Sequence, residues 1–300
     1  MANRKSIYNL KWKCGCHTQF QGSISETLKT SIDYGMYTTQ FFLGNPQSFS
    51  RSKVTEDDLK MCSKLLKEYP MDVFSHFPYL SNLAGSVDSL AWNGDSKQDG
   101  KTKALLKSLE YELGVLAKVG KSTSQTTSQG VVIHPGNYKD RKVGLETIAK
   151  SINLIDFPEN SKLLLENSAG KGVSLATTFD EISKIIEGVS KSKRKHIGVC
   201  VDTCHIFDYG EYDLRDTEEV DRMFDEFDNE IGLQKLSLIH LNDSVHGLKS
   251  RRDQHACLGT GHIWNDNMDA LRYFMERSKE IDVPIVLETH GMDMITLSLI

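Results

Sequence analysis

The sequence lacks most of the features that assign a chain quickly. Its six cysteines contain no C-x-x-C pair: Cys14 and Cys16 form C-x-C, Cys200 and Cys204 flank one motif, and Cys62 and Cys257 stand alone. This argues against a thiolate zinc site. Reduced cysteines are expected, with a strained Cys14–Cys16 bridge as the one alternative. Proline is scarce, at 6 of 300 residues, and no extended disorder-like tract occurs. No apolar run approaches the roughly 18 residues of a membrane span, so no membrane partner is expected. The first residues, MANRKSIYNLKWKCGC, are charged and lack the apolar segment of a secretory leader, which predicts an intracellular protein without distinguishing cytoplasm from nucleus. A surplus of positive charge is missing as well. The net charge of -5 argues weakly against a surface coated in DNA-binding residues, although local basic patches can still attract phosphate.

What is present is alternation. Short β-branched or apolar runs, at 8–17, 38–44, 72–78, 130–136, 162–167, 196–202, 236–243 and 284–289, are separated by longer segments of helical period. Helices are predicted over 55–69, 178–189 and 217–231, among others, several opening on Thr or Ser followed by acids, as an N-cap and a helix dipole favour. Eight strand–helix units predict an α/β fold, a (β/α)8 TIM barrel with its site at the C-terminal rim of the strands; a doubly wound open sheet is the main rival. No linker interrupts the pattern, so a single domain over 1–300 is expected. The polar stretch GKSTSQTTSQG, 120–130, precedes the fourth strand and so falls on the face away from the rim.

The strand C-termini carry His17, His76, His134, Glu166, Asp202 with His205, His240 with Asp243, and Glu288. A loop after the seventh strand adds Asp253 and His255, which alternate and project to one side if that piece is extended. One histidine at a strand end is more often a satisfied polar residue than a ligand. In a barrel, however, all strand C-termini open onto one rim, so these residues converge on one bowl. So many imidazoles and carboxylates together would be costly without cations, because like charges repel and desolvated carboxylates need partners. Mixed histidine and carboxylate ligation suits zinc, with manganese or iron (Mn2+ or Fe2+) as substitutes. The donors exceed what one tetrahedral ion uses, which implies two or three ions. Paired ions can share a carboxylate, for which Glu166 is the candidate, and a hydroxide, an arrangement suited to phosphate ester hydrolysis without a catalytic serine or cysteine.

The stretches GCH, HFPYLSNL, VIHPG, LLLENSAGKG, GVCVDTCH, IHLND, SRRDQHACLGTGHI and IVLET resemble, in order, the successive motifs of endonuclease IV, from about residue 14 to 290. The resemblance implies a (β/α)8 barrel with three Zn2+ ions. The implied activity is hydrolysis of double-stranded DNA on the 5′ side of abasic sites, leaving a 3′ hydroxyl, with removal of 3′ blocking groups. It also implies that His76, His134 and Glu166 hold one ion. Glu166, Asp202, His240 and Glu288 would hold its neighbour, and His205, Asp253 and His255 the third. A hydroxide between the first two ions would attack phosphorus while the third stabilises the leaving oxygen. Tyr79 matches a family tyrosine that enters the duplex near the lesion, but Gln47 stands where the familiar bacterial pattern has arginine. One extra residue in IFDYGEYDL lengthens the loop after strand six, and Ala256 replaces a second histidine after His255.

Lys249, Arg251 and Arg252 share the loop of Asp253 and His255, which makes them candidate phosphate contacts. His17 is a candidate substrate contact or a support for the ligands. Trp12, Phe41 and Phe42 are expected in the core. KSKRKH, 191–196, precedes strand six on the face away from the rim and reads as a solvated charged turn. A metal-dependent sugar isomerase on the same barrel is the competing function, and a damage-binding protein that does not cut is the third. A monomer is expected.

Overall fold

The computed structural model describes residues 12–86, 96–120, 128–265, 267–289 and 292–299. Strand and helix alternate as follows: β1 (Cys14–His17), α1 (Ile24–Asp33), β2 (Thr38–Phe41), α2 (Glu56–Glu68), β3 (Asp72–His76), α3 (Ser96–Gly120), β4 (Gln129–Ile133), α4 (Arg141–Leu154) and β5 (Leu163–Glu166). There follow α5 (Phe179–Gly188), β6 (Ile197–Asp202), α6 (Thr203–Tyr209), α7 (Thr217–Glu230), β7 (Leu236–His240), a two-stranded hairpin of β8 (Asp243–Ser244) and β9 (His255–Ala256), α8 (Met268–Glu280), β10 (Ile285–Leu287) and α9 (Met292–Leu299). Eight parallel strands close in the order β1-β10-β7-β6-β5-β4-β3-β2. The expected TIM barrel is the observed fold, and the open sheet is excluded by closure.

Local chemistry explains the helix starts. The side chains of Ser23, Thr55, Asp140, Thr178, Asp216 and Asn267 each accept a hydrogen bond from a first-turn amide of the helix that follows. Expected and observed ends agree closely for α2, α5 and α7. The first strand is shorter than the expected 8–17, because Trp12 and Lys13 lie outside it and residues 8–11 fall outside the described set. Gly15 is required there, since a Cβ at that position would lie 1.6 Å from the Thr38 carbonyl oxygen. Residues 121–127 of the polar stretch are also outside the described set.

Only part of IFDYGEYDL is loop. The chain passes directly from β6 into α6, because Asp202 caps the helix, its Oδ1 accepting from the His205 amide at 2.8 Å, and residues 210–216 form the loop that follows. Gly210 then ends α6 in the left-handed region, at φ 85°. The basic run 191–196 is a structural turn: Lys193 Nζ donates to the carbonyls of Asn153 and Ile155, and Arg194 to those of Val189 and Glu187. All six cysteines are free, so the Cys14–Cys16 bridge is absent. Trp12 and Phe41 are buried as expected. No helix among the described residues is long and apolar enough to cross a membrane.

The barrel interior is closed by Phe74, Val132, Leu164, Cys200, Leu238 and Val286, which pack together as a separate small core. Each stands two residues before a polar residue at the rim: His76, His134, Glu166, Asp202, His240 and Glu288. Side chains on a strand alternate between faces, so a residue two positions beyond an inward apolar one also points inward. The pleat thus places six titratable side chains on one apolar floor.

Candidate metal centre

The register strengthens this convergence. Asp202 pairs with His240 across β6 and β7, and Glu166 pairs with Cys200 across β5 and β6. Glu166, only 1% exposed, turns its two oxygens in different directions. Oε2 lies 3.1 Å from His76 Nε2 and 3.4 Å from His134 Nε2. Oε1 lies 2.9 Å from His240 Nδ1 and 3.7 Å from His205 Nδ1.

Three sets of donor atoms able to hold a cation follow. His76, His134 and Glu166 form the first, Glu166, Asp202, His240 and Glu288 the second, and His205, Asp253 and His255 the third, with the atoms of each set within 4.8 Å of one another. In the third, His205 Nε2 is 2.9 Å from Asp253 Oδ1, and His255 Nε2 is 3.6 Å from the same oxygen. The nine expected ligands are therefore brought together in three groups. Asp202, Cys204 and His255 form a further set of the same compactness, overlapping the second and third.

The donor chemistry fits cations. His255 Nε2 is a buried nitrogen with no hydrogen-bond partner, and it faces Asp202 Oδ2 at 3.6 Å. Burial and the neighbouring carboxylates raise the carboxyl of Asp202, against the pull of His205 and His255. Burial alone would lower His205 and His240, yet nearby carboxylates, and for His240 also Cys200, hold both well above the ordinary histidine range. Burial would raise Glu166 and Glu288, but the imidazoles, His134 and His240 foremost, hold Glu166 well below the carboxylate range, and His240 holds Glu288 near 2. His134 is pushed down to about 4 by burial. Without cations these groups can coexist only by exchanging protons; a divalent ion in each set would neutralise the same carboxylates and leave the imidazoles free to donate.

Backbone carbonyls fix two of the rings. His76 Nδ1 donates to the Phe77 carbonyl at 2.8 Å and His205 Nδ1 to the Asn167 carbonyl at 2.9 Å, which leaves Nε2 of each facing its set. The loop bearing Asp253 and His255 differs from the extended piece expected. Asp253 has φ 55°, and only His255 lies in a strand. The Asp253 amide donates to Asp208 Oδ2 at 2.9 Å, and this tether turns the loop so that both side chains still reach His205.

Asp243, expected among the metal-compatible residues, points away from them. Its carboxylate accepts from the amides of Ser244, Gly259, Gly261 and Ile263, clamping the 258–263 turn. Sequence reasoning also missed Asn167, whose Oδ1 accepts from the Asp202 amide at 2.7 Å, and the buried amides Gln40 and Asn242. Gln40 does carry a signal, as a polar residue inside the strand run TTQFF.

A cavity of about 650 Å³ opens above the three sets, with His76, His134, Glu166, His205, His255 and Glu288 in its wall. Tyr79 stands at its edge, 59% exposed, with its ring 5.5 Å from that of His76 and 5.2 Å from that of Phe42. Phe42 is thus a rim residue, half-buried between Tyr79, His76 and His17, rather than the core residue expected. Gln47 is exposed, on a loop whose Pro46 carbonyl accepts from the Tyr79 amide at 3.1 Å. Lys249, Arg251 and Arg252 are exposed but stand outside the cavity wall, with Arg251 over the Tyr209 ring. Lys171, not anticipated, lies in that wall. A cavity of similar size, about 620 Å³, opens at the other end of the barrel around Lys162 and His196, and none of the clustered donor residues lines it.

Residues 28–297 match a family model described as a xylose isomerase-like TIM barrel. The chain is 32% identical over 279 residues to a probable endonuclease 4 of Clostridium botulinum, covering 92% of this chain and 91% of that protein. It is 34% identical over 275 residues to a probable endonuclease 4 of Mycoplasmoides gallisepticum, covering 89% and 82%. The chain belongs to the endonuclease IV family. Among solved structures, endonuclease IV of Thermus thermophilus superimposes with a TM-score of 0.75 at 24% identity, over 96% of both chains. A D-tagatose 3-epimerase-like protein shares the fold more distantly, with a TM-score of 0.65 at 16% identity over 96% of this chain and 94% of that one. The endonuclease IV motifs coincide with the three donor sets, since VIHPG, LLLENSAGKG, GVCVDTCH and IHLND supply His134, Glu166, Asp202 with His205, and His240.

Proposed function

We propose that this protein is a metal-dependent DNA-repair endonuclease that hydrolyses the phosphodiester 5′ of abasic sites in double-stranded DNA. The products would be a 3′ hydroxyl and a 5′ deoxyribose phosphate end, and 3′ blocking groups would be removed by the same chemistry. The observation that carries this reading is the two-sided placement of Glu166, which joins two donor sets, with a third set beside them in one cavity. Endonuclease IV membership supplies the substrate class.

When bound, three divalent cations, zinc by the donor chemistry, would neutralise phosphate oxygens and acidify water. The protein's own contribution is placement. His76, His134 and Glu166 would hold the first cation, Glu166, Asp202, His240 and Glu288 the second, and His205, Asp253 and His255 the third. The apolar floor of Phe74, Val132 and Leu164 keeps water from beneath the site and stiffens the strands that carry the ligands. Tyr79, exposed and braced by Phe42, occupies the gap left when the lesion nucleotide leaves the stack. Lys171, in the cavity wall, and Lys249, Arg251 and Arg252, outside it, supply positive charge for flanking phosphates. His17 and Gln47 act nearer the ligands and the loop beside Tyr79.

The barrel shared with the epimerase-like protein also suits a metal-dependent sugar isomerase, but fold alone does not choose a chemistry. What favours the nuclease is the third set, supplied by α6 and the β8–β9 hairpin, together with the exposed tyrosine. The discriminating experiment uses a duplex carrying one abasic analogue. The expected result is metal-dependent incision immediately 5′ of the analogue; an intact duplex in the presence of zinc, manganese or ferrous ion rejects the proposal.

A further inference from the structure

Two uncharged side chains sit among the clustered histidines and carboxylates of the rim. Gln40, on β2, and Asn242, two residues beyond β7, are both fully buried. A buried amide is costly unless its donors and acceptor are used, and both are used on the candidate ligands. Asn242 Nδ2 donates to Asp202 Oδ2 at 2.7 Å and Glu288 Oε2 at 3.1 Å, while its Oδ1 accepts from the Glu288 amide at 3.2 Å. Gln40 Nε2 donates to Glu288 Oε1 at 2.9 Å and to His17 Nδ1 at 3.2 Å, and Gln40 Oε1 lies 2.9 Å from His240 Nε2.

These contacts fix a chain of roles. A carboxylate only accepts, so Glu288 must face the nitrogen of the Gln40 amide rather than its oxygen. The oxygen then faces His240 Nε2, which must carry the proton. Nδ1 of His240 is left to face Glu166 Oε1, at 2.9 Å. His76 and His205 are arranged the other way round, each donating from Nδ1 to a backbone carbonyl and presenting Nε2. His240 is thus reversed relative to both, and it is a side chain that reverses it.

We infer that Gln40 and Asn242 are positioning residues, an amide bracket that holds Glu288 by both oxygens and, through Gln40, selects Nδ1 of His240 as the nitrogen offered to a cation in the second donor set. This rests on the reading that the set holds a metal. Outer ligand-supporting contacts of this kind are worth about 10- to 100-fold in metal affinity.

Two substitutions separate bracket from filler. Gln40→Met is close to isosteric and removes every hydrogen bond, whereas Gln40→Glu keeps an acceptor for His240 and places a second carboxylate against Glu288. Long-range nitrogen–proton NMR spectra of zinc-loaded, histidine-labelled protein report which His240 nitrogen carries the proton, and competition with a chromogenic chelator reports zinc affinity. Wild type and Gln40→Glu are expected to keep the proton on Nε2. Gln40→Met is expected to lose that single state and bind zinc about 10- to 100-fold more weakly. Unchanged tautomer and zinc affinity in Gln40→Met overturns the inference, as does loss of the tautomer in Gln40→Glu. If Gln40→Met does not fold, the Gln40→Glu spectrum still decides. A wild type that binds no zinc would instead refute the metal reading, and the same tautomer comparison at alkaline pH, with neutral imidazoles, would still judge Gln40.

Discussion

Replacing Glu166 by glutamine keeps the shape of the side chain and removes one charge from two donor sets at once. The first set, His76 and His134 with Glu166, has a single carboxylate, so the change leaves it none. The second, with Asp202 and Glu288 also present, falls from three carboxylates to two. The loss is therefore unequal: the first set should release its cation while the second keeps one. Removing one preorganised electrostatic partner from a closed site costs about 2.7–4 kcal/mol in the transition state, or roughly 10²- to 10³-fold in rate. Glu166 serves two sets, which places the expected loss at the upper end of that range or beyond. The assay is single-turnover incision of an abasic-analogue duplex alongside metal content by mass spectrometry, with circular dichroism to confirm the fold. Incision within a few-fold of wild type, at undiminished metal content, would refute the bridging role.

Tyr79→Ala is expected to weaken binding to an abasic duplex more than to an undamaged one, because only the lesion leaves a gap to fill; equal losses in a fluorescence anisotropy titration would reject the wedge. In metal-free protein the joint contribution of His205, His240 and Glu288 should be greatest between about pH 4.3 and 6.5, with His134, held near 4, opposing it as pH falls below the unfolded histidine value. His205 and His240 are raised, so their contribution is complete below the unfolded histidine value and fades as pH rises through the folded ones, whereas Glu288, near 2, contributes above the unfolded carboxylate value and fades on acidification. Bound cations displace those protons, so a chelator should lower the melting temperature more at pH 8 than at pH 6; an equal drop at both would contradict this. Asp243→Ala strands four backbone amides and should cost about 2–4 kcal/mol, read as a shifted denaturation midpoint, with increased proteolysis at the 258–263 turn.

The barrel and the convergence of its rim side chains were legible because strand pleating is a rule of period two. An apolar residue that points into a closed barrel guarantees that the residue two further on does so too, and the pairs Phe74–His76, Val132–His134, Leu164–Glu166 and Leu238–His240 can be read directly from the sequence. What was not legible depends on where a carboxylate or amide finds its partners. Asp243 looked like a ligand by its place after β7, but three amides from a turn 16 to 20 residues away, with that of Ser244, claim its oxygens. Gln40 and Asn242 carry no charge, so nothing in composition marks them as central. In GVCVDTCHIFDYG, the helix α6 was hidden because its cap, Asp202, was already accounted for as a ligand.

The three donor sets are expected to form one metal centre. Crystals grown with zinc, measured with X-rays above and below the zinc absorption edge, test this directly. The prediction is three anomalous peaks in the rim cavity, one bounded by His76, His134 and Glu166, one by Glu166, Asp202, His240 and Glu288, and one by His205, Asp253 and His255. A zinc-soaked crystal with no peak among these side chains, or with a single peak that leaves Glu166 serving one ion, would contradict it.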